Sequence, residues 1–391
     1  MRYTCCTHPR IGLATGLFLV LILANSCGGA KNQGVESNSD WPGHKSWEMG
    51  PFIKQHAVNP VLSAGDLQFV CPILQQPVKW EEKDVFNPAA LVREGVVNLL
   101  YRAEDFLGSN NGTSRIGLAI SEDGLNFEKL PEPVFYPEND SLKPLEWDGG
   151  VEDPRIVESQ DGRYIMTYTS YDGKVARLML ASSPDLKNWT KHGRVLQGTH
   201  KDTWSKAGAI VAEQDGDRIL AKKIRGKFWM YFGDTDLFLA HSEDLVHWQP
   251  LEKNGVLQSV MKPRPGFFDS RLVESGPYAL LREEGIVLLY NGMNLGEGQA
   301  RDPSLAPGAY SAGQALFAAD DPSKLIDRSE TYFLTPEEPY EIAGQVNLVC
   351  FVEGMVPYQG KWFLYYGTAD SKIAVAVFED GVPAWKKSNP G

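Results

Sequence analysis

The chain has 391 residues, 42% of them hydrophobic and 11% aromatic, with a formal net charge of −12 at pH 7. This is the composition of an ordinary globular protein with a large core, and its acidity argues against nucleic acid, whose binding surfaces need clustered Lys and Arg. A neutral sugar remains open as a ligand, whereas a polyanion is disfavoured.

Residues 1–27 read as an export signal. Arg2 and Arg10 supply a basic start, and Ile11 to Ala24 form an apolar stretch of about fourteen residues, too short to span a bilayer. The stretch runs into Leu23-Ala24-Asn25-Ser26-Cys27, a relaxed lipobox with Ala24 where Leu is commoner. Cys27 is the expected lipidation site, giving a lipid anchor to the bacterial cell envelope; plain signal cleavage is the alternative. Residues 28–50 open with Gly28-Gly29 and read as a tether. Residues 51–391 are expected to form a single domain. Outside the signal and Cys27, only Cys71 and Cys350 remain, to pair or to stay as small buried apolar residues.

From Val70 onward one pattern recurs five times at intervals of roughly 60 to 75 residues. A β-branched or aromatic run ends in Tyr101, Tyr168, Tyr231, Tyr290 and Tyr365, and a second apolar run follows each. Turns such as Ser183-Pro184-Asp185-Leu186 and Ser242-Glu243-Asp244-Leu245 close those second runs. Period-two alternation without a sustained helical period marks an all-β chain, and self-similarity at this interval predicts a five-bladed β-propeller.

Upstream of each Tyr run lies a short strand with a polar entry. These are Phe86-Asn87-Pro88, Val151-Glu152-Asp153-Pro154-Arg155, Ser205-Lys206-Ala207-Gly208, Glu274-Ser275-Gly276-Pro277 and Phe351-Val352-Glu353-Gly354. Such groups are costly on the inner strands of a propeller unless paired or used. A satisfied hydrogen-bond plug is the plain alternative to a shared site. No zinc-type cysteine spacing exists and the seven histidines do not cluster, so neither a catalytic metal nor a cofactor is expected.

Gly149-Gly150-Val151-Glu152-Asp153-Pro154-Arg155 resembles the signature of glycoside hydrolase family 130, the β-mannoside phosphorylases and β-mannosidases. The resemblance extends through Asn87-Pro88, Tyr101-Arg102-Ala103-Glu104-Asp105, Trp204-Ser205-Lys206, Phe267-Phe268-Asp269-Ser270-Arg271 and Tyr365-Tyr366-Gly367-Thr368-Ala369-Asp370. It implies a five-bladed propeller and an inverting mechanism, with Asp153 at the position of the general acid. Inverting cleavage needs a protonated carboxyl at the leaving oxygen and a second group activating the nucleophile. Burial and the neighbouring Glu152 favour a proton on Asp153, whereas Arg155 would favour the carboxylate. Arg102, Asp105, Arg155, Lys206 and Asp269 then look like contacts orienting the cleaved mannose, with Asn87 as a neutral hydroxyl partner.

Two positions depart from the phosphorylase pattern. Tyr290-Asn291-Gly292 stands where phosphorylases carry a histidine, and Phe232-Gly233-Asp234 where they carry an arginine. Each lost charge-assisted hydrogen bond weakens dianion binding by ~1–3 kcal/mol. Carboxylates appear at Glu274 and Glu213, either of which could serve as the base that a water nucleophile needs. The expected activity is therefore hydrolysis of β-manno-oligosaccharides. Its rivals are a phosphorylase that releases mannose 1-phosphate and a non-catalytic glycan-binding propeller. Related five-bladed families acting on arabinan, xylan or fructan place an acid where this chain has Asn87-Pro88, which counts against them.

Overall fold

The computed structural model describes residues 43–109 and 112–379. The export signal and Cys27 lie outside the described residues. The chain is nearly all β-strand, with two short α-helices, Lys143–Glu146 and Pro339–Ile342, among the described residues.

Strand pairing resolves into five antiparallel groups. The first joins Asp84–Arg93, Val96–Glu104, Ser114–Ser121 and Glu128–Lys129. The second joins Gly150–Glu158, Tyr164–Tyr171, Ala176–Ser183 and Thr190–Arg194. In the third, Ala209–Asp215, Phe228–Phe232, Leu237–Ser242 and Trp248–Pro250 pair in turn. The innermost strand of the fourth is interrupted at Gly276-Pro277-Tyr278. Its two halves, Leu272–Ser275 and Ala279–Leu281, both pair with Ile286–Met293, and Tyr310–Ala318 and Asp321–Arg328 follow. The fifth takes Cys350–Tyr358, Lys361–Thr368 and Lys372–Phe378, and its last partner is Ile53–Lys54 from the other end of the described chain.

The innermost strand of each later group meets a strand of the group before it. Ser114 pairs in parallel with Gly150, and Val211 with Ala279. Thr167 Oγ1 donates to the carbonyl of Gly208 at 2.7 Å. Asn291 bonds both backbone groups of Val352, at 2.7 and 3.0 Å. A Cβ on Gly354 would lie 2.7 Å from the carbonyl oxygen of Pro88, so the fifth group closes tightly on the first only through a glycine.

The apolar core lies between neighbouring groups. Ala89, Leu100 and Ile116 of the first pack with Ile156, Met166 and Met179 of the second. Val211, Tyr231 and Leu239 of the third pack with Val273, Leu288 and Phe317 of the fourth. Each group is thus covered on both faces, and its strands are buried almost throughout rather than on alternate residues, as Ala176–Ser183 shows. The expected alternation is lost because a sheet sandwiched between two others has no solvent face. The turns behave as read: Asp123, Asp185 and Asp244 each accept two backbone N–H bonds. Cys71 and Cys350 are both free and buried.

Part of the expected tether belongs to the folded unit. Trp47 and Met49 are core residues. Trp47 Nε1 donates to Asp327 at 3.0 Å, and the Met49 backbone is bonded in both directions by Gln314. Two large apolar side chains between Lys45 and Gly50 are the physical reason: a solvated tether has no use for them.

Candidate active site

In three of the five groups the entry of the inner strand breaks its ladder at the same place. Register shifts fall between Phe86 and Pro88, Glu152 and Arg155, and Val352 and Gly354. Asn87, Asp153 and Ala207 take left-handed backbone conformations, with φ of 44°, 49° and 56°. A bulge inserts one residue, bends the strand and re-aims a side chain that would otherwise face the next sheet. Asn87 and Asp153 each precede proline, whose missing N–H costs nothing where the ladder is already broken. Left-handed non-glycine residues carry strain of about 1–3 kcal/mol each, held here by the contacts their side chains make.

Those side chains converge. Asp153 Oδ1 accepts from Asn87 Nδ2 and from Arg102, each at 3.0 Å, while Oδ2 lies 3.3 Å from the ammonium of Lys206. Arg102 also reaches Glu104 at 2.6 Å and Glu152 at 3.1 Å. The side chains of Arg102 and Lys206 keep 14% and 21% of their surface open, whereas Asp153 keeps 2%. Solvent therefore reaches the cluster past the cations.

Burial pulls the Asp153 pKa upward, but Lys206, Arg102 and the Asn87 hydrogen bond outweigh it and hold the carboxyl well below the usual range. Burial pushes Glu152 up to about 7 against the pull of Arg102. Glu274 is likewise pushed by burial to about 7, with Lys206 and Arg155 opposing. Burial raises Asp370 to about 6. Glu104 goes the other way: Arg102 and Lys83 overcome its burial and bring it to about 2. Both Asp153 and Glu274 raise the pKa of Lys206 against burial. Oε1 of Glu274 is buried and has no hydrogen-bond partner among the described residues.

Arg155 closes the cluster from beneath. Its guanidinium donates to the carbonyls of Gly276 at 2.8 Å, Ser275 at 2.9 Å and Asp153 at 3.2 Å, and contacts Glu353 Oε1 at 3.4 Å. One side chain of the second group thereby ties the fourth and fifth to it. Burial drives the Glu353 carboxyl well above its ordinary range in spite of Arg155.

The structure brings together Asp153, Glu274, Asn87, Arg102, Arg155 and Lys206, with Arg155 acting as a cross-link. Three expected residues are elsewhere. Glu213 sits at the far end of its strand, one-third exposed and ion-paired with Lys222 at 2.8 Å. Asp105 is fully buried, and its carboxylate is filled by Arg115 at 2.6 Å and the backbone of Leu107 and Thr113. Asp269 is fully buried and accepts from Tyr290, Arg328 and Arg264 at 2.6 to 2.8 Å. The structure thus places those three apart from the cluster, with both buried carboxylates engaged by arginines and other donors of their own surroundings. Conversely Glu353, Asp234 and Asp370 bear on the cluster, although none was expected to have a role, and Glu152, expected only to favour a proton on Asp153, is part of it. Glu353 shared the signal that found the others, a charged residue inside an apolar inner strand.

The chain matches glycoside hydrolase family 130, described as β-1,4-mannooligosaccharide phosphorylase, over residues 66–385. A curated β-1,2-mannobiose phosphorylase of Thermoanaerobacter sp. (strain X514) is 33% identical over 329 residues, 79% of this chain and 95% of its own length. A solved glycosyl hydrolase from Bacteroides ovatus is 44% identical with a TM-score of 0.84, covering 87% of this chain and 97% of that one. Equal identity, coverage and TM-score are found with a structure from work showing that this family of mannoside phosphorylases contains glycoside hydrolases targeting β-1,2 mannosidic linkages in Candida mannan. The chain belongs to glycoside hydrolase family 130 and is a carbohydrate-active enzyme of that family.

Proposed function

We propose that the five antiparallel groups form a five-bladed β-propeller whose central cluster cleaves β-mannosides by inverting hydrolysis. Asp153 is the acid and Glu274 the base that activates water. The observation that carries this reading is Glu274: a buried carboxyl pushed to about 7, with one oxygen unpartnered, next to the Ser275-Gly276 backbone that Arg155 ties to the strand of Asp153. A base poised near the working pH is what water activation requires.

Asp153 is held ionised, so it has to gain a proton when the substrate binds. Glu152 and Asp153 titrate as a pair, and near neutrality the proton the pair still holds is on Glu152. A neutral sugar that parts Lys206 from Asp153 removes one of the charges holding the carboxylate, and Glu152 passes its proton to Asp153 beside the leaving oxygen.

Phosphorolysis is the second reading, and the curated relatives favour it, since they are named as mannoside phosphorylases. Against it stand the local contacts. Asn291 uses its amide on Val352, and Arg155 directs its donors to backbone carbonyls and Glu353. Incubation with β-1,2- and β-1,4-mannobiose, with and without phosphate, decides. Free mannose without phosphate supports hydrolysis; mannose 1-phosphate formed only with phosphate overturns it. The sequence also supports export and a lipid anchor at Cys27, which fatty-acid labelling lost in Cys27→Ser would test.

A further inference from the structure

We propose that Trp204 is a stacking platform for a second pyranose ring, the one next to the cleaved mannose on the open side of the site; the inference rests on the mannoside reading above. Trp204 is 51% exposed, yet its indole is held at both ends. Nε1 donates to Asp234 Oδ2 at 2.5 Å, and the ring stands edge-on to Tyr171 with centroids 6.4 Å apart at 66°. An exposed indole fixed in one orientation, with its polar edge occupied, keeps an apolar face turned to solvent. Stacked sugar C–H groups match such a face: pyranose rings carry an apolar side, and burying it against an aromatic ring gains contact without freezing flexible side chains.

The position of the ring fits the depth of the site. Trp204 is two residues before Lys206, whose ammonium lies 3.3 Å from Asp153. Between them Ser205 is buried and anchors the segment by accepting the Leu178 N–H at 3.0 Å. Asp234, which orients the indole, is close enough for its charge to act on Glu274. Arg155 and Glu353, both almost fully buried, close the other side of the cluster, so an oligosaccharide cannot thread through the molecule. A mannose bound at Asp153 therefore has its neighbour toward the loops, where Trp204 stands.

The test compares two substrates on Trp204→Ala and Trp204→Phe. Mannobiose places a sugar on the leaving side; β-mannosyl fluoride places only fluoride there. The platform predicts that Trp204→Ala lowers kcat/KM for mannobiose by about tenfold or more, mainly through KM, while the fluoride changes by no more than about twofold. Trp204→Phe, which keeps an aromatic face, recovers most of the mannobiose loss. Retained cleavage of the fluoride also shows that the variants fold. Equal losses on both substrates would make Trp204 a positioning residue for Lys206 and overturn the platform, as would mannobiose cleavage unchanged in Trp204→Ala. Wild-type protein that cleaves neither compound would remove the mannoside reading, and the platform with it.

Discussion

Asp153 and Glu274 are both carboxyls buried in one cluster, yet their environments push their proton affinities in opposite directions. Cations and an amide hold the first ionised, and desolvation keeps the second near 7. The base Glu274 must be ionised and the proton that serves Asp153 must still be on Glu152, so a pH–rate profile of mannoside cleavage should be bell-shaped with its maximum near 7. Glu274→Gln should lower the rate by roughly 10²–10⁴-fold, whereas Glu213→Gln, altering a half-exposed ion pair with Lys222, should leave it unchanged; equal losses in the two variants would contradict the assignment of the base. Glu353 gives a different expectation. Because burial keeps it protonated, Glu353→Gln should preserve both activity and melting temperature, and Glu353→Ala, which removes the partner of Arg155, should lower both. Six of nine expected side chains were legible because a charged residue inside an apolar run is expensive wherever it lies on an inner strand. Asp105 and Asp269 carry the same sequence signal for another purpose, and a sequence does not show which buried carboxylate is engaged by donors of its own surroundings.

That other purpose repeats from group to group. A carboxylate ahead of the inner strand, a Tyr hydroxyl on the second strand and a cation on the outermost strand form one clamp. The sets are Glu81 with Tyr101 and Lys129, Glu146 with Tyr168 and Lys191, Asp269 with Tyr290 and Arg328, and Glu341 with Tyr366 and Lys54. In the third group Tyr231 donates instead to the carbonyl of Pro322 at 2.8 Å. Each clamp pins the segment that enters the inner strand, and so fixes where the bulged residue points. Removing one partner leaves a buried charge uncompensated. Lys191→Met should therefore destabilise by about 3–5 kcal/mol, while Tyr168→Phe costs about 1 kcal/mol. Adding Glu146→Gln to Lys191→Met should restore much of the loss in chemical denaturation; no restoration would mean the charge is not what the lysine compensates. Tyr101, Tyr168 and Tyr290 were plain in the sequence from their spacing, but in the fifth group the spacing marks Tyr365, whose hydroxyl donates to the carbonyl of Gly124, and the clamp uses Tyr366. The acidic partners precede their tyrosines by 20 to 25 residues, whereas the cations lie at no fixed interval.

The described chain closes on itself through its beginning: Ile53 and Lys54 pair with Val377 and Ala376, and Lys54 reaches Glu341 at 2.7 Å. A two-residue strand carries no repeat signal, so the five groups could be read from the sequence but this closure could not. In the cluster, buried carboxyls make stability depend on pH. Glu152 and Glu274, ordinarily at 4.5, are raised to about 7, Asp370 from 3.8 to about 6, and Glu353 is raised well above its ordinary value by burial. A carboxyl raised in the folded state contributes its stability fully below its unfolded value and loses it as pH rises through the folded one. Asp153 and Glu104 are lowered, so their contribution is lost only as pH falls into the acid range. The cluster accordingly stabilises the fold most at roughly pH 4 to 5 and progressively less as pH rises toward about 7. Melting temperatures followed across that range should decline, and the decline should be shallower in Glu274→Gln, which has no proton to lose. A flat or rising curve in the wild type, or an unaltered slope in the variant, would show that Glu274 is not buried as a neutral acid. The ionisation of Glu274 that weakens the fold is the one that creates the base, so below about pH 7, where the rate is still climbing, rate and stability should run in opposite directions.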